Sequence, residues 1–302
     1  MKYVDTNLAR RLEAAEDVPQ VEIARVLQRT HPEVGADILE IAGGHAVFAG
    51  LNSPVGRAIG LGFDGAVTAT QLDEVEAFYK KHNAPSQVDI TPVTHGSLLE
   101  LLKTRGYVLT ELNNVMARKL EPRERFEESV PGVEFRACAP EETPLWTHTM
   151  LRGFFPEDQI PAGWDKLLAP MAQVPNSLAT LVWGKENPHP VSPPRYASGQ
   201  APSRGTRVGQ PVACCGGLIS RQHGLIALGG TSTLPEYRGR GIQTAAMGRR
   251  MNRAIAEGCD LAVVVTLGNT TSQRNAERMG FTPAYSKATV VKQISDGSGQ
   301  RA

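Results

Sequence analysis

The stretch LPEYRGRGIQTAAM, residues 234–247, joins an apolar run that is typical of a strand to a run with the spacing of a helix. Two arginines and two glycines alternate directly before the helix, at 238–241. The first turn of a helix has free backbone N–H groups and the positive end of the helix dipole, and glycines let the main chain approach a ligand closely. The stretch therefore predicts a phosphate site at a strand-to-helix turn.

The residues on both sides of this turn predict a βαβ unit. Residues 225–234 and 260–266 have the composition of strands, and the second is continuously apolar, as in a strand buried on both faces. The helix between them ends before Gly258. Its apolar face is predicted to contain Met247, Met251, Ala254 and Ile255, and its solvent face Arg249, Arg250 and Arg253. A helix at 270–280 and strands at 281–286 and 287–293 follow.

The patterns in residues 133–220 predict further strands and helices of the same domain, interrupted by one long segment. The interruption, 185–210, is rich in Pro, Gly and Ser and predicts a loop outside the core. The elements around it are a strand at 133–139, helices at 140–154 and 164–173, and strands at 177–184 and 211–220.

The first half of the chain predicts a similar order of elements. Residues 101–120 and 276–292 both run from a helix through a Gly-aromatic pair into a strand, which indicates a duplicated fold. The earlier elements are strands at 37–51, 56–63 and 87–92 and a helix at 70–85. The charged, proline-flanked residues 121–132 predict a linker. The predicted division is a domain at 1–120, this linker, a domain at 133–294 and a disordered tail at 295–302.

Composition narrows the class of protein. The chain has 302 residues, 41% hydrophobic and 21% charged, with a net charge of +1, as in a soluble globular protein that has no basic surface for nucleic acid. The apolar runs are too short to span a membrane, and the start lacks the apolar core of a signal peptide, so we expect a cytoplasmic protein. Cysteines and histidines show no metal-ligand spacing, which predicts no metal. A homodimer is possible.

Two common phosphate-binding motifs are not present in the stretch at 234–247. A Walker loop would need Gly-Lys-Ser/Thr after four free positions, and the chain contains no such run. A dinucleotide fingerprint would need a third glycine and an acidic residue after the next strand, but Thr244 follows the two glycines and that strand ends in VVTLGN. A dinucleotide-dependent enzyme is therefore a weak alternative.

The stretch resembles the pyrophosphate loop of the GNAT superfamily of acyl-CoA-dependent N-acyltransferases. Residues 238–243 follow the family pattern with Pro235 upstream, and Gln243 stands where a small residue is expected. A second resemblance covers NTTSQRNAERMGF, 269–281, through Asn269, Ser272, Gly280 and Phe281. The resemblance implies an α/β fold with a mixed sheet, a GNAT domain at 133–293, and a degenerate tandem copy at 38–120 that lacks the loop.

The resemblance also implies where coenzyme A is held. Its pantetheine would lie along the main chain of the preceding strand, where the pair Gly229 and Gly230 suggests a β-bulge or close sheet packing. The implied pyrophosphate cradle is Arg238, Gly239, Arg240, Gly241, Ile242, Gln243 and Thr244, supported by Asn269 and Ser272. The implied pantetheine contacts are Thr231, Ser232, Thr233 and Leu234.

In the family an amine attacks the thioester of acetyl-CoA directly, and a tyrosine often protonates the leaving thiolate. Ala276 stands at that tyrosine position. Tyr285 on the next strand is a candidate acid, with core packing as its alternative. Glu236 beside the loop is a candidate base acting through water, with a solvated turn residue as its alternative.

The acceptor amine is expected on the other side of the strand from coenzyme A. Phe154, Phe155 and Trp164 are candidate apolar walls of its site, although core packing explains aromatics equally well. The sequence thus predicts an N-acetyltransferase that uses acetyl-CoA and acts on a primary amine of a small molecule or an amino-acid-like substrate. The alternative is a catalytically silent regulatory module that binds coenzyme A.

Overall fold

The computed structural model describes residues 4–184 and 210–293. The predictions for the loop at 185–210 and the tail at 295–302 therefore lie outside the described residues, apart from Gln210. The described residues form a mixed α/β structure around one sheet. No helix among them is both long enough and apolar enough to cross a membrane.

The helices and strands follow the chain in this order. The helices are α1 Thr6–Thr30, α2 Ala69–Lys81, α3 Gly96–Thr104, α4 Thr143–Phe154, α5 Trp164–Leu168, α6 Pro170–Gln173, α7 Ile242–Ala256 and α8 Thr271–Arg278. The strands are β1 Asp37–Ile41, β2 Gly44–Phe48, β3 Ala58–Ile59, β4 Ser86–Ile90, β5 Val108–Lys119, β6 Val133–Ala137, β7 Thr180–Gly184, β8 Pro211–Ser220, β9 Leu225–Thr233, β10 Leu261–Leu267 and β11 Thr282–Lys292.

Four predictions differ from the structure. The strand predicted at 37–51 is two strands, β1 and β2, separated by a turn at 42–43, where Ala42 and Gly43 have positive φ. The strands predicted at 281–286 and 287–293 are one strand, β11, which absorbs two register shifts against β5 instead of breaking. The strand predicted at 56–63 is reduced to the two residues of β3, because glycines with positive φ at 60 and 62 turn the chain away. The helix predicted at 164–173 is divided into α5 and α6 at Ala169, directly before Pro170.

Helix α1 was not predicted, and it is the longest helix described, with 25 residues. The Asp5 carboxylate caps it by accepting a 2.8 Å hydrogen bond from the backbone N–H of Leu8. Its apolar face is buried in a cluster that contains residues of both halves, among them Val47 and Val263. Helix α1 therefore packs the two halves of the chain together.

The sheet is continuous through both halves, in the order β1-β2-β3-β4-β11-β5-β10-β9-β8-β7-β6 for the strands described. The last strand of each half lies beside the other half: β11 pairs with β4, and β5 pairs with β10. Strands β5 and β11 also pair with each other at the centre, antiparallel. The two halves have thus exchanged their final strands.

Residues 121–132, the predicted linker, form no helix or strand but pack on α7. The Asn252 side chain accepts a hydrogen bond from the Phe126 backbone N–H and donates one to its carbonyl, both 2.9 Å long. This close packing requires a glycine at position 248, because a side chain there would collide with the Glu127 carbonyl. The boundaries at 120 and 133 stay a prediction.

Candidate active site

Strands β9 and β10 separate part-way along their length. They pair in parallel over three residues each, 225–227 with 261–263, and then diverge. From Leu228 and Val264 onward, each strand pairs only with its outer neighbour, β8 or β5. The divergence opens a gap in the sheet whose walls carry backbone N–H and C=O groups that no strand partner occupies.

A β-bulge lies on β9 directly after the divergence. Between the pairs Gly216–Gly229 and Cys214–Ser232, two residues of β9 face one residue of β8. Gly230 takes a φ of +55° there and packs against the Trp146 ring, which leaves little room for a side chain. The bulge predicted at the glycine pair is confirmed, and it redirects the following residues of β9.

A groove of about 850 Å³ runs from this gap to the N-terminus of α7. It brings together most of the residues predicted to hold coenzyme A. Those that line it are Thr231, Ser232, Thr233, Arg238, Gly239, Gly241, Ile242, Gln243, Thr244 and Ser272.

The loop before α7 leaves its helix N-terminus open. Gly239 and Gly241 have φ values of +76° and +80°, and a side chain on either would meet no protein atom. No side chain in the described part of the chain caps α7. In the first half, by contrast, Thr68 caps α2 and is bonded in return by Gln71, so those N–H groups are already satisfied. An anion site is therefore open in the second half and closed in the first.

A second cavity, of about 230 Å³, lies on the other side of the gap. Leu228, Gly229, Val264 and Val265 line both spaces, so the groove and the cavity meet where the strands diverge. The wall opposite the sheet is α1, together with the loop before β3. Most of the lining is apolar, and its polar side chains are Glu16, Gln20 and Arg57.

A buried ionic cluster adjoins this cavity. The Lys287 ammonium, with a side chain 1% exposed, lies 3.2 Å from the Glu13 carboxylate and 3.0 Å from Asp89, and also contacts Glu16. Burial alone would lower the pKa of Lys287, but the three carboxylates raise it. Burial raises the pKa of Glu13, opposed by the charge of Lys287. The cluster thus fixes Glu16 at the cavity wall.

The other cations and amides of the cavity wall are already engaged. The Arg57 guanidinium donates to the Thr289 hydroxyl at 2.9 Å and lies 3.5 Å from Asp89 and 3.4 Å from Glu111. The Gln20 side chain donates to the Arg57 carbonyl and accepts from its N–H. Glu16 is paired with Lys287, but its side chain is 36% exposed, against 19% for Arg57, so it is the polar group of the described lining that is best placed to receive a ligand.

Comparison with known families identifies the part of the chain that holds the groove. Residues 183–281 match the model of the acetyltransferase (GNAT) family. This part of the chain is similar to the GNAT family. The match includes the loop before α7 and the segment from Asn269 to Phe281, and it confirms the resemblance found in the sequence.

Solved structures with the GNAT fold match most of the chain, including the first half. A GCN5-related N-acetyltransferase from Kribbella flavida has a TM-score of 0.56 at 14% identity, covering 92% of this chain and 98% of that one. A tandem GNAT protein from the clavulanic acid biosynthesis pathway has a TM-score of 0.55 at 11% identity, covering 91% and 89%. A comparison with curated protein sequences finds no match. The predicted tandem GNAT fold is confirmed.

Three of the residues predicted to hold coenzyme A, namely Leu234, Arg240 and Asn269, are not part of the groove lining as described. Leu234 is buried and donates its N–H to the Val212 carbonyl at 3.0 Å. Arg240 stacks on the Tyr237 ring, 4.9 Å from its centroid, and donates to the Glu236 carbonyl. Asn269 has a φ of +58° and shapes the turn before α8.

Arg238 lines the groove, but its guanidinium is engaged in holding the loop. It donates to the Thr233 carbonyl at 3.1 Å and to the Gly153 carbonyl at 2.8 Å, and so ties the GNAT loop to β9 and α4. The positive potential of the groove therefore comes from the helix N-terminus as well as from charged side chains.

The two candidate catalytic residues lie outside the groove lining. The Tyr285 hydroxyl donates to the Glu13 carboxylate at 2.7 Å within the cluster around Lys287. Burial and the Glu13 charge raise the pKa of Tyr285, so the hydroxyl keeps its proton. Glu236 is exposed in the turn before the loop. Tyr285 therefore has the environment of a packing tyrosine, and Glu236 has that of a solvated turn residue. These are the non-catalytic interpretations given for them above.

The three aromatic residues predicted to form the walls of the acceptor site do not lie in one place. Phe154 lines the groove that leads to α7 and is 59% exposed. Phe155 and Trp164 pack edge to face, with ring centroids 5.5 Å apart, and the Trp164 indole N–H donates to the Asn52 carbonyl. Neither of these two rings lines the groove or the second cavity as described.

The sequence did not indicate the cavity residues of α1, and it misplaced Arg250. Met247, Met251, Ala254 and Ile255 are buried as predicted, but Arg250, predicted on the solvent face of α7, is 3% exposed and lines the groove. The helical spacing of Arg250 indicates its burial, because position 250 lies three residues after Met247 and four before Ala254, on the buried face.

Proposed function

We propose that this protein transfers an acetyl group from acetyl-CoA to the primary amine of a small molecule by direct attack of the amine. The observation that carries the proposal is the meeting of two spaces at the divergence of β9 and β10. One space has the features of a coenzyme A groove, and the other is a mainly apolar cavity. The GNAT match itself supports acyl transfer in general.

The residues of the groove fit coenzyme A. Gly239 and Gly241 leave open space in front of the uncapped helix, where a pyrophosphate would accept from backbone N–H groups. Two buried polar atoms in the described groove, Thr266 Oγ1 and Arg250 Nη2, have no hydrogen-bond partner. Buried polar atoms are nearly always satisfied, so these two favour a polar ligand that passes between the strands.

The backbone of β9 supplies the groups that would polarise the thioester. Its N–H groups beyond Leu228 have no partner on β10, because the strands have diverged. Donors held toward a developing oxyanion contribute roughly 3 kcal/mol each in other acyl-transfer enzymes. The main chain here can therefore activate the carbonyl without a side-chain nucleophile.

The second cavity supports an amine as the acceptor. Glu16 presents a carboxylate to an otherwise mainly apolar space, where an ammonium group would be attracted and could lose its proton. Arg57 is occupied by Asp89 and Glu111, so this wall offers a carboxylate-bearing substrate no free cation among the described residues. We therefore place simple amines ahead of amino acids as acceptors.

The test combines a binding measurement with a survey of substrates. Isothermal titration with acetyl-CoA, coenzyme A and NAD should show that the protein binds acetyl-CoA and coenzyme A and does not bind NAD. A thiol-release assay over a panel of primary amines should then show turnover. Binding of NAD without coenzyme A would overturn the proposal. Coenzyme A binding with no turnover over a broad panel would favour the silent regulatory module.

Two glutamate variants of α1 distinguish a specific loss of activity toward the amine from a general effect on stability. Glu16→Gln should lower kcat/KM for the amine roughly tenfold or more, because the neutral amide attracts no ammonium and accepts no proton, and it should leave coenzyme A affinity unchanged. Glu22→Gln, which removes a pair with Arg25, is the control on the same helix. Thermal melting of Glu16→Gln checks that the loss of its contact with Lys287 leaves the protein folded. Equal activity of the two variants would contradict the role of Glu16.

A further inference from the structure

Arg250 lies at the inner end of the coenzyme A groove. It is two turns into α7, and its side chain is 3% exposed. Nε donates to the Ala246 carbonyl at 2.8 Å, and Nη1 donates to the carbonyls of Gly216 and Gly229. Nη2 is buried and has no hydrogen-bond partner among residues 4–184 and 210–293. The guanidinium is thus held firmly while one of its donor atoms is left free.

No carboxylate of the described residues forms an ion pair with Arg250. The other well-buried cation, Lys287, has three such partners. Burial lowers the pKa of Arg250, which shows that the surroundings disfavour its charge. A buried cation without a counter-ion destabilises a fold, and it is expected where a ligand supplies the negative charge.

The guanidinium that carries the free donor lies beside the point where the acyl group would be transferred. The Gly229 carbonyl, which accepts from Arg250, belongs to a residue that lines both the groove and the second cavity. Across the gap, Thr266 on β10 carries the other unpartnered polar atom of the described groove. A thioester that passes between the strands would therefore place its sulfur and carbonyl near these atoms.

The position that often carries an acid in this family cannot serve the leaving group here. Ala276 on α8 is fully buried in a cluster with Met247 and Met251. It has no proton to donate, and the two methionines close the space around it. Negative charge on a departing sulfur therefore needs another source of stabilisation in this protein.

We infer that Arg250 Nη2 donates a hydrogen bond to the coenzyme A sulfur and stabilises the thiolate as it leaves. The inference rests on the proposed acyl transfer. The amine lone pair forms the new C–N bond, the C–S bond breaks, and the sulfur keeps that electron pair. Arg250 retains all its protons. The ammonium proton leaves to Glu16 or to water, and the thiolate takes up a proton from solvent.

The thiol pKa of bound coenzyme A tests this inference directly. Free thiols titrate near about 8.5. A hydrogen-bonded guanidinium should lower the bound value by about one unit or more, which is a tenfold preference for the thiolate. The measurement is a pH titration of the thiolate absorbance in the ultraviolet, with the full-length protein saturated by coenzyme A.

Variants show whether the shift comes from Arg250. Arg250→Met should return the bound thiol to its ordinary pKa or above, and should leave the affinity for desulfo-coenzyme A unchanged. Arg250→Lys, which keeps the charge, should keep part of the shift. Arg253→Met is the matched control, since Arg253 is exposed on the same helix and pairs with Glu257 at 2.6 Å.

The outcomes separate this inference from the proposed function. Failure of the wild-type protein to bind coenzyme A would overturn both. Binding with an unshifted thiol pKa in the wild type would overturn the role of Arg250 alone, and this result needs no variant. Equal pKa shifts in the wild type and Arg250→Met would also overturn it, as would a matching loss of desulfo-coenzyme A affinity, which would indicate a purely structural role.

Discussion

The side-chain amide of Asn275 on α8 donates a 2.6 Å hydrogen bond to the Gln243 side-chain oxygen in the first turn of α7. Gln243 is the residue that departs from the GNAT loop pattern, which has a small residue at that position. Both residues line the coenzyme A groove. The bond therefore fixes the N-terminal turn of α7, whose N–H groups are the proposed anion site, against α8.

Removing this bond should weaken coenzyme A binding through the geometry of the loop. Gln243→Ala and Asn275→Ala should each reduce affinity about three- to tenfold, since a neutral hydrogen bond contributes about 1 kcal/mol. Titration calorimetry of both single variants and the double variant measures the coupling. Strictly additive losses in the double variant would show that the contact does not organise the loop.

The glycine at the start of α7 should be essential for coenzyme A binding. Gly241→Asp would place a carboxylate in the open space before the helix, and its bulk and charge should reduce affinity by about tenfold or more. Gly258→Asp is the matched control. Gly258 follows α7 and has nearly the same φ, +81°, with open space around it, so it carries the same backbone cost far from the site.

Titration calorimetry on the two glycine variants, with thermal melting as a check of folding, gives the answer. Gly241→Asp should fold as well as Gly258→Asp and fail to bind. Retained affinity in a folded Gly241→Asp protein would refute the assignment of this loop to a phosphate.

The buried cluster around Lys287 should be a large contributor to stability once one partner is removed. Lys287→Met leaves three carboxylates without their ammonium, and breaking a buried pair in this way costs about 3–5 kcal/mol. Lys292→Met, on the same strand, removes a partly exposed pair with Glu76 and should cost about 1 kcal/mol or less. Urea denaturation of both variants compares the free energies of unfolding, and similar losses would contradict the assignment.

The contact between His45 and Asp17 should make stability depend on pH. The 2.8 Å hydrogen bond to Asp17 raises the pKa of His45 in the folded protein. Its contribution is therefore complete below the unfolded pKa, about 6.5, and is lost as the pH rises through the higher folded value. The wild type should exceed His45→Gln in unfolding free energy by more at about pH 6 than at about pH 8.5.

Denaturant titrations at both pH values measure this difference. Asp17→Asn should remove most of the pH dependence, because the histidine then has no carboxylate to favour its charged form. A difference between wild type and His45→Gln that stays constant with pH would contradict the mechanism.

The fold was predictable where local sequence determines local structure. The glycine loop, α7 and β10 follow from turn residues and periodicity, and β8 was placed at its observed bounds. The exchange of β5 and β11 was not predictable in this way, because the alternation of a strand shows which face is buried and not which strand lies beside it.

The same distinction applies to the candidate site, where residues of one contiguous segment were predicted and residues from distant parts of the chain were missed. The loop residues were found because a phosphate cradle is a contiguous segment, whereas Glu16 enters the site through a helix far away in the chain. Helix α1 was missed because Pro19 and the charged residues around it conceal its apolar spacing. Arg250 was misplaced because charge suggested solvent exposure and its spacing was given less weight.

The exchange of the final strands sets the order in which the molecule can be completed during synthesis. The edge of β4 is covered by β11, whose residues 282–292 come near the end of the described chain. Until the ribosome has made them, the first half presents an open strand edge, which favours aggregation. A chain interrupted before residue 282 would therefore leave both halves unfinished, and we expect such a chain to be a target for chaperones and proteases.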